Sequence, residues 1–159
     1  MASMSDFLEN KLIDWLFRGQ AIGITGASAA AGTGPTNLYV GLLTATPTDS
    51  TAGTEVSTSG TAYARVTVAS NTTNWDNTQN LNTTAVSSGT GGTTRNSTAI
   101  TFPAPVGSNW GSITGVGIYD AASGGNLLIW APLTTGKTVN AGDAAPSFAI
   151  NALTFQIDN

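Results

Sequence analysis

The sequence predicts a mainly β protein: an antiparallel β-sandwich of jelly-roll type, preceded by one N-terminal amphipathic helix and an extended arm. Three observations carry this. Seven or eight short apolar or β-branched segments are separated by Gly, Pro and Asn signals. The 159 residues are only 9% charged while 40% are hydrophobic, so Thr, Ser, Asn, Gly and Ala do the work that ions usually do, and Thr and Val fit a pleated sheet. One segment near the start instead has helical spacing. The length suits a single core-bearing domain with an appendage. We divide the chain into a helix and linker arm, residues 1–36, and a sandwich, residues 37–159. Met1–Ser3, ahead of a second Met, are left out of the fold reading.

The helix is predicted over Asp6–Arg18. Asp6 and Glu9 have capping-box spacing, and Gly19 suits the left-handed position after the last turn. At 100° per residue, Leu8, Leu12, Ile13, Trp15, Leu16 and Phe17 cover an apolar arc of about 200°, against the ~100° stripe that docks a helix on one core. Asn10, Lys11, Asp14 and Arg18 lie opposite, with Phe7 among them. Either the helix packs on its own sheet and stays partly wet, or it is wedged between its domain and another subunit. Residues 20–36 are small, uncharged and broken by glycines. They read as an extended linker that lets the helix sit away from the sandwich.

Strands are predicted at Asn37–Ala45, Tyr63–Ala69, Ser97–Phe102, Ile113–Tyr119, Asn126–Leu133, Lys137–Asn140 and Ser147–Ile157. Asp120–Gly125 is a turn. Asn71–Asn96, rich in Thr, Ser, Asn and Gly, is predicted as long loops with an added hairpin around Trp75. In the last strand the apolar phase slips by one residue between Ile150 and Leu153, which predicts a bulge at Asn151 or Ala152.

Composition removes much chemistry. There is no Cys and no His, so disulfides, thiolate metal sites and the commonest general base are absent. The net charge is −4 and the sequence pI about 4.3, and the five Lys and Arg are scattered, which is the opposite of a nucleic-acid footprint. No apolar run approaches the ~20 residues of a membrane span, and no signal-peptide pattern opens the chain. The expectation is synthesis in a bacterial cytoplasm, with no membrane or nucleic-acid partner. Asp49, Glu55, Asp76, Asp120, Asp143 and Asp158 mostly sit in turn-like contexts, where Asp bonds the nearby backbone. Gly136-Lys-Thr lacks the upstream glycine of a phosphate loop, and Asp143 lacks the alternating acids of a calcium loop. We therefore predict no enzyme, no catalytic residue, no cofactor and no metal. Of the four tryptophans, Trp130 is expected in the core. Trp75 and Trp110 stand among polar residues and are the candidates for exposed loop aromatics that could meet a glycan or another subunit.

Six stretches, in order, resemble a set of small bacteriophage virion proteins. They are Leu8-Glu-Asn-Lys-Leu-Ile-Asp-Trp-Leu-Phe-Arg-Gly-Gln20, Leu38-Tyr-Val-Gly-Leu-Leu-Thr-Ala-Thr-Pro47, Tyr63-Ala-Arg-Val66, Ile100-Thr-Phe-Pro-Ala-Pro105, Trp110-Gly-Ser-Ile-Thr-Gly-Val-Gly-Ile-Tyr-Asp120 and Asn140-Ala-Gly-Asp-Ala-Ala-Pro-Ser-Phe148. The resemblance covers nearly the whole chain from Met4. Members are often labelled tail-fibre proteins, and small sandwiches of this type also resemble capsid cement (decoration) proteins. The resemblance implies a virion component. The leading expectation is a cement protein on the capsid surface that binds and stabilises the shell of the major capsid protein. The alternative is a tail-fibre or baseplate subunit contacting host-surface glycan. Either role would suit a homo-oligomer, a dimer or trimer. The expected partner surface is the helix face, Leu8, Leu12, Trp15 and Leu16, with Ile22 and Ile24 from the linker.

Overall fold

The computed structural model describes residues 4–24, 32, 34–48 and 50–157. Among these there is one helix, α1 (Asp6–Leu16). The strands are β1 (Asn37–Ala45), β2 (Thr54–Glu55), β3 (Val66–Ala69), β4 (Thr93–Arg95), β5 (Ile100–Thr101), β6 (Gly111–Tyr119), β7 (Leu127–Val139), β8 (Ser147–Phe148) and β9 (Thr154–Gln156). The fold class is as predicted: mainly β, with antiparallel sheets and one short N-terminal helix. The chain forms two compact units. One gathers residues 1–37, 69–99 and 148–159, and the other gathers 38–68 and 100–147. The helix shares its unit with the middle loops and the C-terminal strand, because its polar side chains bond to those loops.

The second unit holds an open sheet ordered β2-β1-β6-β7, with β3 also pairing with β1. β1 and β6 are antiparallel with Val40 opposite Ile118, Gly41 opposite Gly117 and Leu42 opposite Val116. One face carries Leu38, Val40, Leu42, Val116 and Ile118, all buried. On the other face two glycines meet. A Cβ on Gly41 would stand 2.9 Å from a Tyr119 ring carbon, and one on Gly117 would stand 3.0 Å from the same atom. The missing side chains let the Tyr119 ring lie flat on the strands. Tyr63 completes this core, 5.3 Å edge-on from Trp110 and 6.3 Å in a near-parallel stack with Phe102. Such pairs each add roughly 0.5–1.5 kcal/mol beyond their buried area.

Segment boundaries moved where side-chain pattern and hydrogen bonding disagree. β1 matches its prediction residue for residue. The two strands expected around Asn126–Asn140 are one strand, β7, in which Leu133–Gly136 bulge opposite the single Thr114. The strand expected at Ser147–Ile157 is two short ones. The predicted bulge does not form: Ile150 is exposed and a left-handed Asn151 (φ 63°) separates the two strands. No hairpin forms around Trp75, which makes only an isolated bridge to Asn96. The short strands β2 and β4 escaped the sequence reading, since two or three polar residues show no alternation.

Candidate contact site on the helix

α1 begins at Ser5, whose carbonyl accepts the Leu8 and Glu9 N–H groups. Ser5 has the extended backbone of a cap residue and makes no side-chain cap bond, so the capping box predicted from Asp6 and Glu9 does not form. Asp6 still lies in the first turn, where a negative charge suits the helix dipole. At the other end Gly19 takes the left-handed conformation (φ 64°). A Cβ there would stand 2.5 Å from the Ser70 carbonyl oxygen. Ser70 donates its hydroxyl to the Leu16 carbonyl at 2.7 Å and its N–H to the Thr36 carbonyl at 3.0 Å. Gly34 lies so close that a Cβ would overlap the Trp15 carbonyl. Gly34 thus lies beside the end of the helix. Ile22 and Ile24 are half-buried. Residues 1–3, 25–31 and 33 of the predicted arm lie outside the described residues.

The buried side of α1 is its polar side. Glu9, Asn10, Ile13, Asp14, Phe17 and Arg18 are buried, and Phe7, Leu8, Lys11, Leu12, Trp15 and Leu16 are not fully covered. Asn10 donates to the Gly89 carbonyl at 2.8 Å. Asp14 accepts the Ser87 N–H at 2.8 Å and its hydroxyl at 2.6 Å. Arg18, 1% exposed, donates to the carbonyls of Trp75, Thr83 and Ala85 and stands 2.8 Å from Asp14. The reason is the irregular 75–90 segment. Its carbonyls have few ladder partners, and buried backbone acceptors must be satisfied. The guanidinium fork of Arg18 reaches several at once. Burial lowers the affinity of Arg18 for its proton and the neighbouring Asp14 restores part of it. Beneath lie Phe17, Trp75 and Phe155, with centroids 4.9 Å (Phe17–Trp75) and 5.5 Å (Phe17–Phe155) apart.

The uncovered side spans Phe7, Lys11, Trp15, Leu8, Leu12 and Leu16, an arc of about 180° at 3.6 residues per turn. It holds five apolar residues and one charge. Leu8, Leu12, Trp15 and Leu16, the predicted partner face, are half-buried and belong to this arc. Phe7 is 59% exposed, with the Lys11 ammonium 5.7 Å from its ring centre. It was missed because it sits among polar residues on the helical wheel. With Val86, also exposed, it borders a depression of about 440 Å³ floored by Asn10 and Ser87–Thr90.

The two proposed loop aromatics are corrected. Trp75 is 0% and Trp110 4% exposed. Each serves as the core of its unit, and neither presents a ring face to a glycan. Trp130, expected in the core, is half-exposed on β7. The polar neighbours misled the reading, because an irregular loop can fold its one large ring inward when sheet alternation does not constrain it.

The charged groups have structural partners. All three arginines are ion-paired inside the protein: Arg18 with Asp14, Arg65 with Glu55, and Arg95 with Asp76. Arg65 lies over the Tyr119 ring, its guanidinium carbon 3.4 Å from the centroid. It also binds the Ala121 and Gly124 carbonyls, tying the turn after β6 to β2 and β3. Glu55 accepts the Tyr63 hydroxyl at 2.7 Å. Burial, with that bond, pushes the Tyr63 hydroxyl far above the usual tyrosine range. Asp120 and Asp143 accept the backbone N–H groups of Asn126 and Asn140, closing turns. The side-chain bond from Asn126, then the backbone one, holds the Asp120 carboxyl below its ordinary value. Asp49 and Asp158 lie outside the described residues. Among the described residues no cluster of acids has the makeup of a metal site, and no helix is long and apolar enough to cross a membrane.

Residues 3–156 match the family described as Podophage GP4 fiber I protein gp80. The chain belongs to this family of phage virion structural proteins. No curated protein matches it.

Proposed function

We propose that the chain is a fibre subunit of a phage virion, joined to a neighbouring virion protein through the outer arc of α1. The single observation behind the attachment surface is the inverted helix. Leu8, Leu12, Trp15 and Leu16, with Ile22 and Ile24, stay incompletely buried while Asn10, Asp14 and Arg18 are sealed inside. Placing polar groups inside and apolar ones outside has a reason when a second protein covers the outside. A docked helix face of this kind contributes through buried apolar area, roughly 25 cal/mol per Å² before the costs of association. The fibre assignment draws on the family description. No glycan contact is included, since its two predicted carriers are buried.

A second reading, a cement protein on the major capsid protein, draws on the absence of any internal repeat that could build a fibre shaft. Binding only the assembled shell would stabilise it by mass action. Copy number separates the two. Quantitative mass spectrometry of purified virions should give a small fraction of the major capsid protein for a fibre, and a comparable number for cement. The attachment surface is tested by Leu12→Asp and Trp15→Ser in the phage. Virions lacking the variant protein, while the isolated variant remains folded, support the surface. Full incorporation of both variants overturns it.

A further inference from the structure

The depression beside α1 has firm walls. Its loop wall, Val86–Thr90, is pinned from two sides. From the helix, Asp14 holds the Ser87 N–H and hydroxyl, and Asn10 holds the Gly89 carbonyl. From behind, Gln79 donates to the Val86 carbonyl at 3.1 Å and accepts the Ser88 N–H at 3.1 Å. The wall is therefore fixed before anything enters. Val86 on the loop is 58% exposed and Phe7 on the helix 59%. Two large apolar side chains thus stand in solvent on held backbone, at the rim of a recess of about 440 Å³. Asn10 lines the same recess and is 6% exposed. Its Nδ2 is engaged by the Asp6 and Gly89 carbonyls at 2.8 Å each, which fixes the side on which Oδ1 lies. That oxygen is buried and accepts no hydrogen bond. A buried acceptor without a donor is costly, and each one asks for a reason.

We propose that this recess receives one donor-bearing aromatic side chain, a tryptophan before a tyrosine, from the neighbouring virion protein. This rests on the reading of α1 as the attachment face and names what that face grips. The recess continues the outer arc, since Phe7 and Lys11 belong to both. Its volume lies within the ~300–1,000 Å³ of ligand pockets, enough for a ring with its flanking main chain. Three features choose the occupant. The lining is chiefly carbon, with Phe7 and Val86 at the rim, so it accepts a ring and offers a polyhydroxyl sugar few partners. The rim charges cancel, one each on Asp6 and Lys11, so no strongly charged group is favoured. The unpaired Asn10 Oδ1 then asks for a single donor. Leucine, methionine or phenylalanine would leave it unpaired. An indole N–H or a phenol O–H supplies that donor at the edge of an otherwise apolar ring. Lys11 tips the choice to indole. Its ammonium already lies 5.7 Å from the Phe7 ring centre, and a cation is drawn most strongly to a tryptophan face. Rings buried in this way carry much of the energy of many protein interfaces.

The test titrates N-acetyl-tryptophanamide into the isolated full chain and follows amide NMR signals. Saturable shifts in the millimolar range are expected at Phe7, Lys11 and Val86–Thr90 and in the Asn10 side-chain amide. N-acetyl-leucinamide should bind about fivefold more weakly or worse. The benzothienyl analogue, in which sulfur replaces the indole N–H at nearly the same shape, should bind about five- to tenfold more weakly, because Asn10 Oδ1 again lacks a donor. Phe7→Ser combined with Val86→Ser, both at exposed positions, should weaken the tryptophan probe about fivefold or more and leave the fold intact. In the phage, the same double variant should enter virions severalfold less. Absence of saturable binding overturns the proposal. So does equal binding of the benzothienyl analogue, or tighter binding of methyl glucoside at the same residues. Full incorporation of the double variant, with Leu12→Asp and Trp15→Ser excluded, also overturns it and leaves the attachment face standing. If instead the double variant is excluded and Leu12→Asp and Trp15→Ser enter fully, the anchor stands and the wider helix face fails.

Discussion

The two units solve burial in opposite ways. In the sheet unit, alternation does the sorting. Val40, Leu42, Val116 and Ile118 fill one face, and Gly41 and Gly117 open the other for a flat Tyr119 ring. In the helix unit the order is reversed. The helix turns Asn10, Asp14 and Arg18 inward and leaves Leu8, Leu12, Trp15 and Leu16 half-covered. The difference lies in what each framework must satisfy. A sheet pairs its own backbone groups, so its side chains are free to be sorted by hydrophobicity. The 75–90 segment does not, so the helix beside it supplies donors and acceptors. An amphipathic helix is thus not always oriented by its apolar arc. The number of unsatisfied carbonyls nearby can decide instead.

The largest break in this comparison should come from Arg18. Arg18→Met leaves Asp14 buried without its cation and frees three carbonyls, a loss of about 3–5 kcal/mol. Arg18→Lys should recover only part, because an ammonium lacks the fork. Urea unfolding of both variants measures this. An Arg18→Met protein as stable as wild type would mean that the polar core is dispensable. Next is Gly117→Ala in the sheet unit. Its Cβ would come within 2.7 Å of Leu127 and 3.0 Å of Tyr119, and overpacking of this kind costs about 1–3 kcal/mol.

A third handle is pH. The folded-state affinity of Tyr63 for its proton is raised by burial and by the bond to Glu55. The stabilisation is therefore complete below pH 10.0, the ordinary tyrosine value. It falls as pH rises beyond that, because the unfolded chain ionises first. Tyr63→Phe should flatten this alkaline slope in thermal melts, whatever its cost near neutrality. The smallest effect is expected on the outer arc. Phe7→Ser should change stability by no more than about 0.5 kcal/mol, since the ring is mostly in solvent. A larger loss would show that the arc already supports the free chain.

Much of the molecule was readable from residue order. β1 and the turn at Asp120–Gly125 follow from alternation and from Asp and Gly chemistry. So does the left-handed Gly19 just beyond α1. Short polar strands were not readable, since β2 and β4 owe their existence to partners distant in sequence. The tryptophans were assigned from the polarity of their neighbours, and this failed for Trp75, Trp110 and Trp130 alike. Local polarity says little about where one large ring finds a cavity. Of the candidate site, Leu8, Leu12, Trp15 and Leu16 were legible as part of an over-wide apolar arc. Phe7 and Val86, which extend the uncovered surface beyond it, were not.

Taken alone, then, the sequence determined the mainly β class, the position of the one helix, the scarcity of catalytic side chains and membership in a phage virion family. These follow from periodicity, composition and motif order, all of which are local properties. Tertiary structure alone decided which way the helix faces, which tryptophans are core and which edge of the sheet is left open. Each of these depends on unpaired backbone groups or uncovered side chains meeting partners far along the chain, and no window of neighbouring residues contains that information.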